Sequence, residues 1–372
     1  MTILQLVSCR GWSSDAYWAA RITRELERRG HVVTLGCREG TETRVMGPAR
    51  REGVERIETF GFASGLTPAA DVADVRRLVR RFREVDVVHV HRGKEHWLAA
   101  VANLLSSMPR PLVRTRHIAQ AVRPHAANRW LYRRATAWVV TVTEAIRGQY
   151  VAARLVPEDR ITALPGGADA ALYRTDRDPV VRRELGGEGE TPLVGMVAGF
   201  RVMKGHHVVV EAAARLARTG LHPRFVFIGR GGTEASVRDA IQRAGLAEQF
   251  TVSGWLEGLP AALAALDVAL YVPLESDGMS RVVFECLAAG RPLIASRVGV
   301  VPEALEDGAH AVLVPAGDAA ALAAALTRLL GDAAARARLG AAGRAILERR
   351  YSGARVAEAL ESRYARLLAP GA

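Results

Sequence analysis

The feature of this sequence that most constrains its fold is a regular alternation of short apolar runs with longer amphipathic stretches. The run "ILQLVS" is followed by the helical pattern "AYWAARITRELERRG", and "VDVVHVH" is followed by "WLAAVANLLSSM". Short apolar runs of this kind predict buried strands, and the spacing of apolar residues in the longer stretches predicts helices that cover a sheet. Strands that alternate with helices predict an α/β fold around a parallel sheet.

The same alternation begins again in the second half of the 372-residue chain, where "PLVGMVAGF", "RFVFIG", "VALYVP" and "PLIAS" are the next predicted strands. Between the halves lies the polar segment "TDRDPVVRRELGGEGETP", whose composition indicates a linker or a domain edge. We therefore predict two Rossmann-like domains, residues 1–175 and 176–350, with a crevice between them. Residues 351–372 are predicted to contain a C-terminal amphipathic helix, and the sequence leaves open whether it packs back on the first domain.

The composition excludes several classes of protein. With 49% hydrophobic residues, the chain is neither disordered nor fibrous. Its three cysteines have neither the spacing of a metal site nor the even count of a disulfide framework, which indicates a reducing compartment. No apolar stretch reaches the length of about 20 residues that a membrane-spanning helix needs. The N-terminus reads as a first strand rather than as a signal peptide.

The positive charge of the chain is concentrated in its first half. Residues 1–172 contain 27 Lys and Arg against 17 Asp and Glu, whereas the remainder contains 24 against 22. Such an excess suits an anionic partner, such as a phospholipid surface or an acidic glycan, and solvated arginine-rich helix faces are an equally good interpretation. The sequence lacks the common nucleic-acid-binding motifs, so nucleic acid is not an expected partner.

Three glycine-containing turns in the second half lie where a predicted strand is followed by a predicted helix. They are residues 199–205, residues 229–232 with Gly229 and Gly231, and the turn at Gly278. Helix N-termini present unpaired backbone N–H groups and a partial positive charge, so three such turns at one sheet edge can surround a diphosphate. One such turn alone would more often reflect the steric freedom of glycine. Together the three turns indicate a nucleotide site.

The first of these turns contains Arg201 and Lys204, which is one of only two lysines in the chain. A cation at the start of a helix opposes the helix dipole unless an anion lies between them. The planar guanidinium and the compact ammonium would together bind a leaving diphosphate. In the third turn, Asp277 is followed about two helical turns later by Glu285, and these carboxylates can accept hydrogen bonds from the hydroxyl groups of a sugar and a ribose.

The segment "DGMSRVVFECLAAGRPLIASRVGVVPEALEDGAHAVLVPAGD" closely resembles the E-x7-E region of the family-4 retaining glycosyltransferases. The segment "RVMKGHHVVVEAAARL" resembles the Arg/Lys diphosphate motif of that family, and "LPGGADAALY" resembles its hinge-proximal loop. The resemblance covers most of the chain and is stronger in the second half. It implies the GT-B architecture, in which two Rossmann-like domains face each other across a donor-binding cleft.

The resemblance implies roles for residues at matching positions. Glu285 matches the carboxylate that holds the donor ribose, and Arg201 and Lys204 match the catalytic cations at the diphosphate. Asp277 departs from the pattern, since the family usually has glutamate there. The commoner arginine position is Gly199 here, so the arginine role goes to Arg201, as in a subgroup with a Leu-Arg-x-x-Lys-Gly-His motif. The predicted donor-binding residues are Gly229, Gly231, Asp277, Gly278, Met279, Ser280 and Glu285.

The first half resembles the family more loosely. In "VRTRH", His117 matches the strand end where such enzymes place a histidine beside the reacting sugar, and we predict it as a third catalytic residue. The segment "VDVVHVHRGKEHWLAA" resembles a sheet-edge loop of the subgroup, in which His91, Lys94 and Glu95 are candidates for contacts with the acceptor. Gly11 is a further acceptor-side candidate, in a turn that has one glycine in place of the usual pair.

The resemblance implies a retaining glycosyltransferase of the hexosyltransferase type, which moves a sugar from a nucleotide-diphosphate sugar to a glycan or a lipid-linked, lipopolysaccharide-like acceptor. We expect no cofactor and no metal ion, because cations and helix termini can neutralise a diphosphate. The metal-binding pattern D-x-D at Asp176–Asp178 is interpreted as a chance match. A sugar-nucleotide epimerase and a non-enzymatic protein that binds anionic membranes or nucleic acid stay open as alternatives. The expected location is the cytoplasm, with the inner face of the cell membrane as a further alternative.

Overall fold

The computed structural model describes residues 1–254, 256, 258–276 and 278–369. The chain divides into two units: the first comprises Met1–Gly167 and the C-terminal segment that begins at Gly353, and the second comprises Ala168–Ser352. The sequence pattern predicts the corresponding boundaries at 175/176 and 350/351. Residues 168–175 fall in the second unit because Arg344 donates hydrogen bonds to the carbonyl oxygens of Ala170 and Tyr173, at 3.1 and 3.0 Å.

Each unit contains one parallel sheet. The described strands of the first unit are β1 (Thr2–Val7), β2 (Val32–Arg38), β3 (Ile57–Phe60), β4 (Val87–Val90), β5 (Leu112–Arg116), β6 (Trp138–Thr141) and β7 (Ile161–Ala163), in the order β3-β2-β1-β4-β5-β6-β7. Those of the second unit are β8 (Leu193–Val197), β9 (Arg224–Ile228), β10 (Phe250–Gly254), β11 (Val268–Tyr271), β12 (Leu293–Ser296) and β13 (Val312–Val314), in the order β10-β9-β8-β11-β12-β13. These sheets confirm the predicted α/β class with two Rossmann-like domains.

Most of the described helices connect successive strands, and the last of them follow β13. The described helices are α1 (Ser14–Arg28), α2 (Gly47–Arg51), α3 (Pro68–Arg81), α4 (Gly93–Leu105), α5 (Ala126–Trp130), α6 (Glu144–Ala152), α7 (Pro179–Glu184), α8 (His206–Arg218), α9 (Glu234–Arg243), α10 (Leu259–Ala264), α11 (Arg281–Ala288), α12 (Val301–Ala304), α13 (Ala319–Gly331), α14 (Ala333–Ile346) and α15 (Gly353–Leu368). Shorter 3-10 turns include Glu158–Arg160, Ala170–Leu172, Val202–Lys204 and Ala247–Gln249, and π turns include Glu42–Met46, Leu131–Ala135 and Leu347–Tyr351. No described helix combines the length and the apolar character that crossing a bilayer requires.

Several strands are buried along their whole length. Every residue of β4, β6, β11 and β12 is buried, as expected for parallel strands with both faces covered. Helix starts are fixed by capping side chains: Asp318 and Asp332 each accept a backbone N–H of the following helix at 2.8 Å. Asp178 caps α7 in the same way, through the N–H of Val180 at 2.8 Å. The segment predicted as a linker therefore contains a helix, and Asp178 of the D-x-D pattern serves as its cap.

Helix α15, near the end of the chain, packs in the first unit. Its Glu361 carboxylate lies 3.1 Å from Nε2 of His31 and is also paired with Arg29. The hydroxyl of Tyr364 lies 2.5 Å from Nδ1 of His89, which is buried on β4. The first unit is therefore built from both ends of the chain.

Candidate functional site

In both sheets the strand order reverses beside the first strand of the unit. The reversal lies between β1 and β4 in the first unit and between β8 and β11 in the second. Parallel α/β sheets bind their ligands at such a reversal, outside the carboxyl ends of the strands. Predicted site residues lie at these ends: Gly11 follows β1, His91 follows β4 and Lys204 follows β8.

In the second unit, the turn after β8 contacts the segment after β11. Gly205 has a φ of 79°, and a Cβ there would lie 2.0 Å from the carbonyl oxygen of Val272. The N–H of Leu274 donates to the carbonyl oxygen of Met203 at 2.8 Å. Only glycine satisfies both the positive φ and the close approach. The two segments on either side of the reversal are thereby held in fixed contact.

The turn after β9 lies against the turn after β8. A Cβ on Gly229 would lie 2.0 Å from the carbonyl oxygen of Ala198, and one on Gly231 would lie 2.3 Å from that of Phe200. The N–H of Phe200 also donates to the carbonyl oxygen of Arg230 at 3.1 Å. Close backbone packing thus accounts for both glycines. The first two glycine turns predicted from the sequence are neighbours in the structure.

The two predicted cations differ in their exposure. Lys204 is only 9% exposed and lies in the turn Val202–Lys204, whereas Arg201 is exposed at the start of that turn. His206, at the start of α8, stacks on Phe200 with ring centroids 4.3 Å apart. Burial, with further contributions from His207 and Lys204, lowers the pKa of His206 to about 4. This helix start therefore combines a buried lysine with a neutral histidine.

Glu285 lies in α11 and is 2% exposed. Its Oε1 accepts a hydrogen bond from the hydroxyl of Tyr173 at 2.8 Å and lies 3.1 Å from Nε of Arg281. Its other oxygen, Oε2, is buried and receives no hydrogen bond from the described residues. An unpaired buried carboxylate oxygen is costly unless a ligand supplies a donor.

The turn that precedes α11 has an unusual backbone. Gly278 has a φ of 116° and Ser280 a φ of 58°, a conformation that few residues other than glycine adopt. The N–H of Gly278 donates to Oγ of Ser276 at 3.2 Å, and the hydroxyl of Ser280 contacts that of Tyr271. Met279 is buried. Asp277, also predicted here, lies outside the described residues.

In the first unit, a cavity of about 700 Å³ opens at the carboxyl ends of β1 and β4. Gly11 and Lys94 line this cavity, as do Arg10, Arg38 and Ser64, which the sequence motifs do not point to. The volume lies in the range of small-molecule sites. The cavity is therefore the candidate ligand site of the first unit.

Two other acceptor-side candidates are buried in the first unit. Glu95 is fully buried and caps α4: its Oε1 accepts the N–H of Arg92 at 2.6 Å and that of Ser8 at 3.3 Å. Burial raises the pKa of Glu95. His91 is 2% exposed. Neither residue lines the cavity, so contacts of Glu95 and His91 with an acceptor are not apparent in this structure.

Three histidines surround Trp18. The ring centroids of His89, His91 and His117 lie 6.1, 5.5 and 5.4 Å from that of Trp18. Burial, which disfavours the charged imidazolium, is the largest effect on all three, and it lowers the pKa of His89 and of His117 to about 3 and that of His91 well below its usual value. The cluster is neutral at physiological pH.

The hydrogen bonds of this cluster decide which nitrogens carry protons. Oε1 of Gln5 lies 2.9 Å from Nε2 of His91, and with the Gln5 amide in this orientation Nε2 of His91 is assigned as the donor. Nδ1 of His91 then accepts from Nε2 of His117, at 3.1 Å. The remaining nitrogen of His117, Nδ1, keeps its lone pair, and it is buried without a hydrogen-bond partner among the described residues. His117 thus has an unused acceptor, although, like His91 and Glu95, it is buried and does not line the cavity.

Several residues of these sites were not predicted from the sequence. Tyr173 and Arg281 hold Glu285, while Gln5 and Trp18 hold the histidine cluster. The Arg281 contact has a sequence signal, because residues four apart share a helix face. The other contacts join residues that are distant in sequence. Among the described residues, no group of three or more His, Cys, Asp or Glu is placed to hold a metal ion.

Two protein-family models match the chain. The model described as "Glycosyltransferase Family 4" matches residues 16–172, and the model described as "Glycosyl transferases group 1" matches residues 191–332. The two matches fall in the first and the second unit, respectively, apart from the last few residues of the first match.

Curated relatives carry related names. A 2-deoxystreptamine N-acetyl-D-glucosaminyltransferase of Streptomyces fradiae is 30% identical over 84% of this chain and 80% of its own length. A D-inositol 3-phosphate glycosyltransferase of Nocardia farcinica is 30% identical over 66% of this chain and 59% of its own length. A GDP-mannose-dependent phosphatidylinositol monomannoside mannosyltransferase of Mycolicibacterium smegmatis is 30% identical over 60% of this chain and 62% of its own length.

Solved structures match nearly the whole chain. A glycosyltransferase from Rickettsia africae superposes with a TM-score of 0.86 at 17% identity, over 100% of this chain and 99% of the other. The Anabaena protein Alr3699/HepE, solved in complex with UDP, superposes with a TM-score of 0.82 at 18% identity, over 98% of this chain and 100% of the other.

Proposed function

Because the chain belongs to the family-4, group 1 glycosyltransferases, we propose that it transfers a sugar from a nucleotide-diphosphate sugar to a hydroxyl group of an acceptor. Its two parallel α/β units have the GT-B fold. In this proposal the second unit binds the donor and the first unit binds the acceptor. The Anabaena protein of the same fold binds UDP, which supports a nucleotide donor.

The observation that carries the proposal is the state of Glu285. Tyr173 and Arg281 hold one of its carboxylate oxygens, and the other is buried without a hydrogen bond from the described residues. A ribose hydroxyl of the donor would supply the missing donor group. Such a contact would offset the cost of burying a carboxylate oxygen without a hydrogen bond.

The cations at the start of α8 are proposed to bind the diphosphate. Lys204 is buried beside the N-terminus of that helix, and Arg201 is exposed on the same turn. The ammonium, the guanidinium and the helix dipole would all stabilise the negative charge that develops on the leaving group. We expect this set to neutralise the diphosphate without a divalent ion.

The proposed reaction retains the configuration of the transferred sugar. The bond between C1 of the sugar and the diphosphate oxygen breaks with both electrons moving to the diphosphate. The acceptor hydroxyl oxygen then forms a bond to C1 from the same face, and its proton passes to the leaving phosphate oxygen. Nδ1 of His117, a neutral acceptor, is proposed to accept a hydrogen bond from a hydroxyl of the reacting sugar. No nucleophilic side chain is needed.

The substitution Lys204→Ala tests this assignment. Loss of a preorganised charge at the leaving group is expected to lower turnover by about a hundredfold or more. Arg243→Ala removes an exposed cation at the end of α9 and is the matched control for Lys204→Ala. Near-normal turnover in Lys204→Ala would contradict the proposal.

The base of the donor is identified in a separate experiment. Thermal shifts with UDP, GDP, ADP, TDP and CMP would identify it, because a bound nucleotide stabilises the fold by mass action.

Retention and metal independence have their own measurements. The anomeric configuration of the product follows from NMR coupling constants, and inversion would refute the mechanism. Turnover is expected to survive a chelator. Incubation with donor alone distinguishes the epimerase alternative, which would release a free epimerised sugar or an epimerised sugar nucleotide without any acceptor.

The acceptor is proposed to be a glycan or a lipid-linked molecule. One relative is named for a phosphatidylinositol monomannoside, which supports the lipid-linked form. Helix α4 carries exposed apolar side chains along one face: Val101, Leu104 and Leu105 lie four, seven and eight residues after Trp97. Leu104 and Leu105 are 68% and 67% exposed. Such a face is typical of helices that rest on a membrane surface.

Arginines lie beside this face. The ring of Trp97 stacks on that of Trp130, with centroids 6.0 Å apart. Trp130 in turn lines a cavity of about 480 Å³ whose other described lining residues are all arginines: Arg129, Arg133, Arg134 and Arg160. Tryptophan and arginine together suit the interface of an anionic membrane. We therefore propose that the first unit binds such a surface peripherally.

A flotation assay tests the membrane proposal. The protein is expected to float with vesicles of phosphatidylcholine and phosphatidylglycerol, and to float less with phosphatidylcholine alone. Leu104→Ser should reduce flotation, whereas Val72→Ser, which changes an exposed apolar residue on α3, should not. Equal flotation with both kinds of vesicle would contradict an electrostatic contribution.

A further inference from the structure

We propose that Arg10 and Arg38 form a binding site for one phosphate group of the acceptor, within the cavity of the first unit. This inference rests on the proposed function, because it names the chemical class of the molecule that receives the sugar. The site lies among residues that line the cavity at the strand-order reversal, where ligands of parallel α/β sheets bind.

The two guanidinium groups converge on one hydroxyl. Nη1 of Arg38 donates to Oγ of Ser64 at 2.9 Å, and Nη2 of Arg10 donates to the same oxygen. These arginines come from the end of β2 and the loop after β1, which are paired strands. Two like charges held on one neutral hydroxyl repel each other, and a bound anion would reverse the sign of that interaction.

The other charges around the cavity are already balanced. Nε of Arg92 lies 3.5 Å from Asp15, and Nζ of Lys94 lies 2.5 Å from Asp71. Neither Arg10 nor Arg38 has a carboxylate within salt-bridge distance among the described residues, and none of the described lining residues is acidic. The uncompensated charge of the cavity is therefore carried by this pair of arginines.

A buried aspartate fixes the loop that carries Ser64. The Asp74 carboxylate is 4% exposed and accepts the N–H groups of Gly61 and Phe62, at 2.8 and 2.7 Å. Phe62 has a φ of 40°, which is rare outside glycine, so these bonds hold a conformation that the chain would otherwise avoid. The hydroxyl on which the arginines meet is thus positioned before any ligand binds.

A phosphate fits this pair better than other groups would. Each guanidinium presents a planar fork of donors that matches two oxygens of a phosphate. The cavity of about 700 Å³ leaves room for a sugar-sized body beside the phosphate. An acceptor carrying ammonium groups would meet repulsion at the same place. The phosphate can belong to a soluble phosphate ester or to a lipid headgroup.

The test measures binding of glycerol 3-phosphate to the whole protein in phosphate-free buffer, by broadening of its ³¹P NMR signal. Arg10→Gln and Arg38→Gln are expected to weaken binding by about ten- to a hundredfold, because each removes a charge-assisted contact. Arg38→Lys keeps the charge but loses the fork, and it should give an intermediate loss. Arg50→Gln removes an exposed arginine of α2 in the same unit and is the matched control.

A second arm uses vesicles of phosphatidylcholine with and without phosphatidylglycerol. Retention on the anionic vesicles that depends on Arg38, without binding of glycerol 3-phosphate, would support the site and assign its phosphate to a lipid headgroup. The proposal would be overturned if Arg10→Gln and Arg38→Gln both left the binding of glycerol 3-phosphate and of anionic vesicles unchanged. Equal weakening in Arg50→Gln would also overturn it, since it would show that only net charge matters.

Saturating UDP separates this site from the donor site. Glycerol 3-phosphate is expected to bind equally well when UDP is present, and complete displacement by UDP would show that the arginines bind the donor diphosphate instead. Binding of UDP itself is measured in parallel with Lys204→Ala. Absence of UDP binding to the unchanged protein would refute the proposed function. Unchanged binding of glycerol 3-phosphate in Arg10→Gln would instead refute the phosphate site.

Discussion

Acidification is expected to destabilise the first unit well above the pH at which carboxylates titrate. Four buried histidines cause this effect: burial lowers the pKa of His89 and His117 to about 3 and that of His91 and His96 well below the usual value. A histidine whose pKa is depressed by folding is neutral in the native state and takes up a proton on unfolding. Its stabilising contribution is complete above pH of about 6.5 and is lost as the pH falls from there toward about 3.

The size of the effect follows from these shifts. At pH 5.5, one unit below the pKa of an unfolded histidine, each buried neutral histidine lowers the free energy of unfolding by about 1.4 kcal/mol. Four such groups lower it by about 5 to 6 kcal/mol, which is comparable to the whole stability of many domains. Burial raises the pKa of Glu95, so this carboxyl group binds its proton more readily in the folded state. Its protonation therefore offsets a part of the loss of stability at lower pH.

Urea unfolding at pH 7.5, 6.5 and 5.5 measures the effect. Tryptophan fluorescence reports mainly on the first unit, because five of the six tryptophans lie in its sequence and Trp18 contacts three of the histidines. His96→Asn should reduce the pH dependence by about a quarter. His125→Asn alters an exposed histidine of the first unit and should leave the pH dependence unchanged. A free energy of unfolding that stays constant between pH 7.5 and 5.5 would refute the reasoning.

Two further predictions concern the second unit. Gly205→Ala should destabilise it by more than about 3 kcal/mol, because the new methyl group would lie 2.0 Å from the carbonyl oxygen of Val272 in addition to the strain of a positive φ. Gly245 also has a positive φ, but there is open space where its Cβ would lie, so Gly245→Ala should lower the free energy of unfolding by only about 1 kcal/mol. Equal losses of stability for the two variants in thermal unfolding would contradict the packing argument. Glu285→Gln should weaken nucleoside diphosphate binding in calorimetry by about tenfold, and Tyr173→Phe by less; unchanged affinity in Glu285→Gln would show that the ribose does not bind there.

Local sequence patterns predicted much of the fold. Apolar periodicity and glycine punctuation predicted two parallel α/β units, because a buried parallel strand and the helix that covers it leave repeating patterns within about 30 residues. The glycine turns were also visible, although the structure gives Gly229 and Gly231 a packing role that the pattern alone does not show. His91 and Glu95 are predicted as acceptor contacts because their segment resembles a sheet-edge loop of the family. Both residues are buried in the first unit, where His91 is hydrogen-bonded to Gln5 and Glu95 to the N–H of Arg92. Local sequence patterns do not distinguish such residues from residues that contact a ligand.

The sequence by itself therefore determined the class of the fold, the number of its domains and the turns where ligands are expected. Only the tertiary structure decided which side chains meet: the partners Tyr173 and Glu285 are 112 residues apart, Arg10 and Ser64 are 54 apart, and His91 and His117 are 26 apart. Periodicity specifies which face of an element is buried, but it contains no information on which element that face meets. That choice depends on the order of strands in the sheet, which places the carboxyl ends of non-consecutive strands side by side.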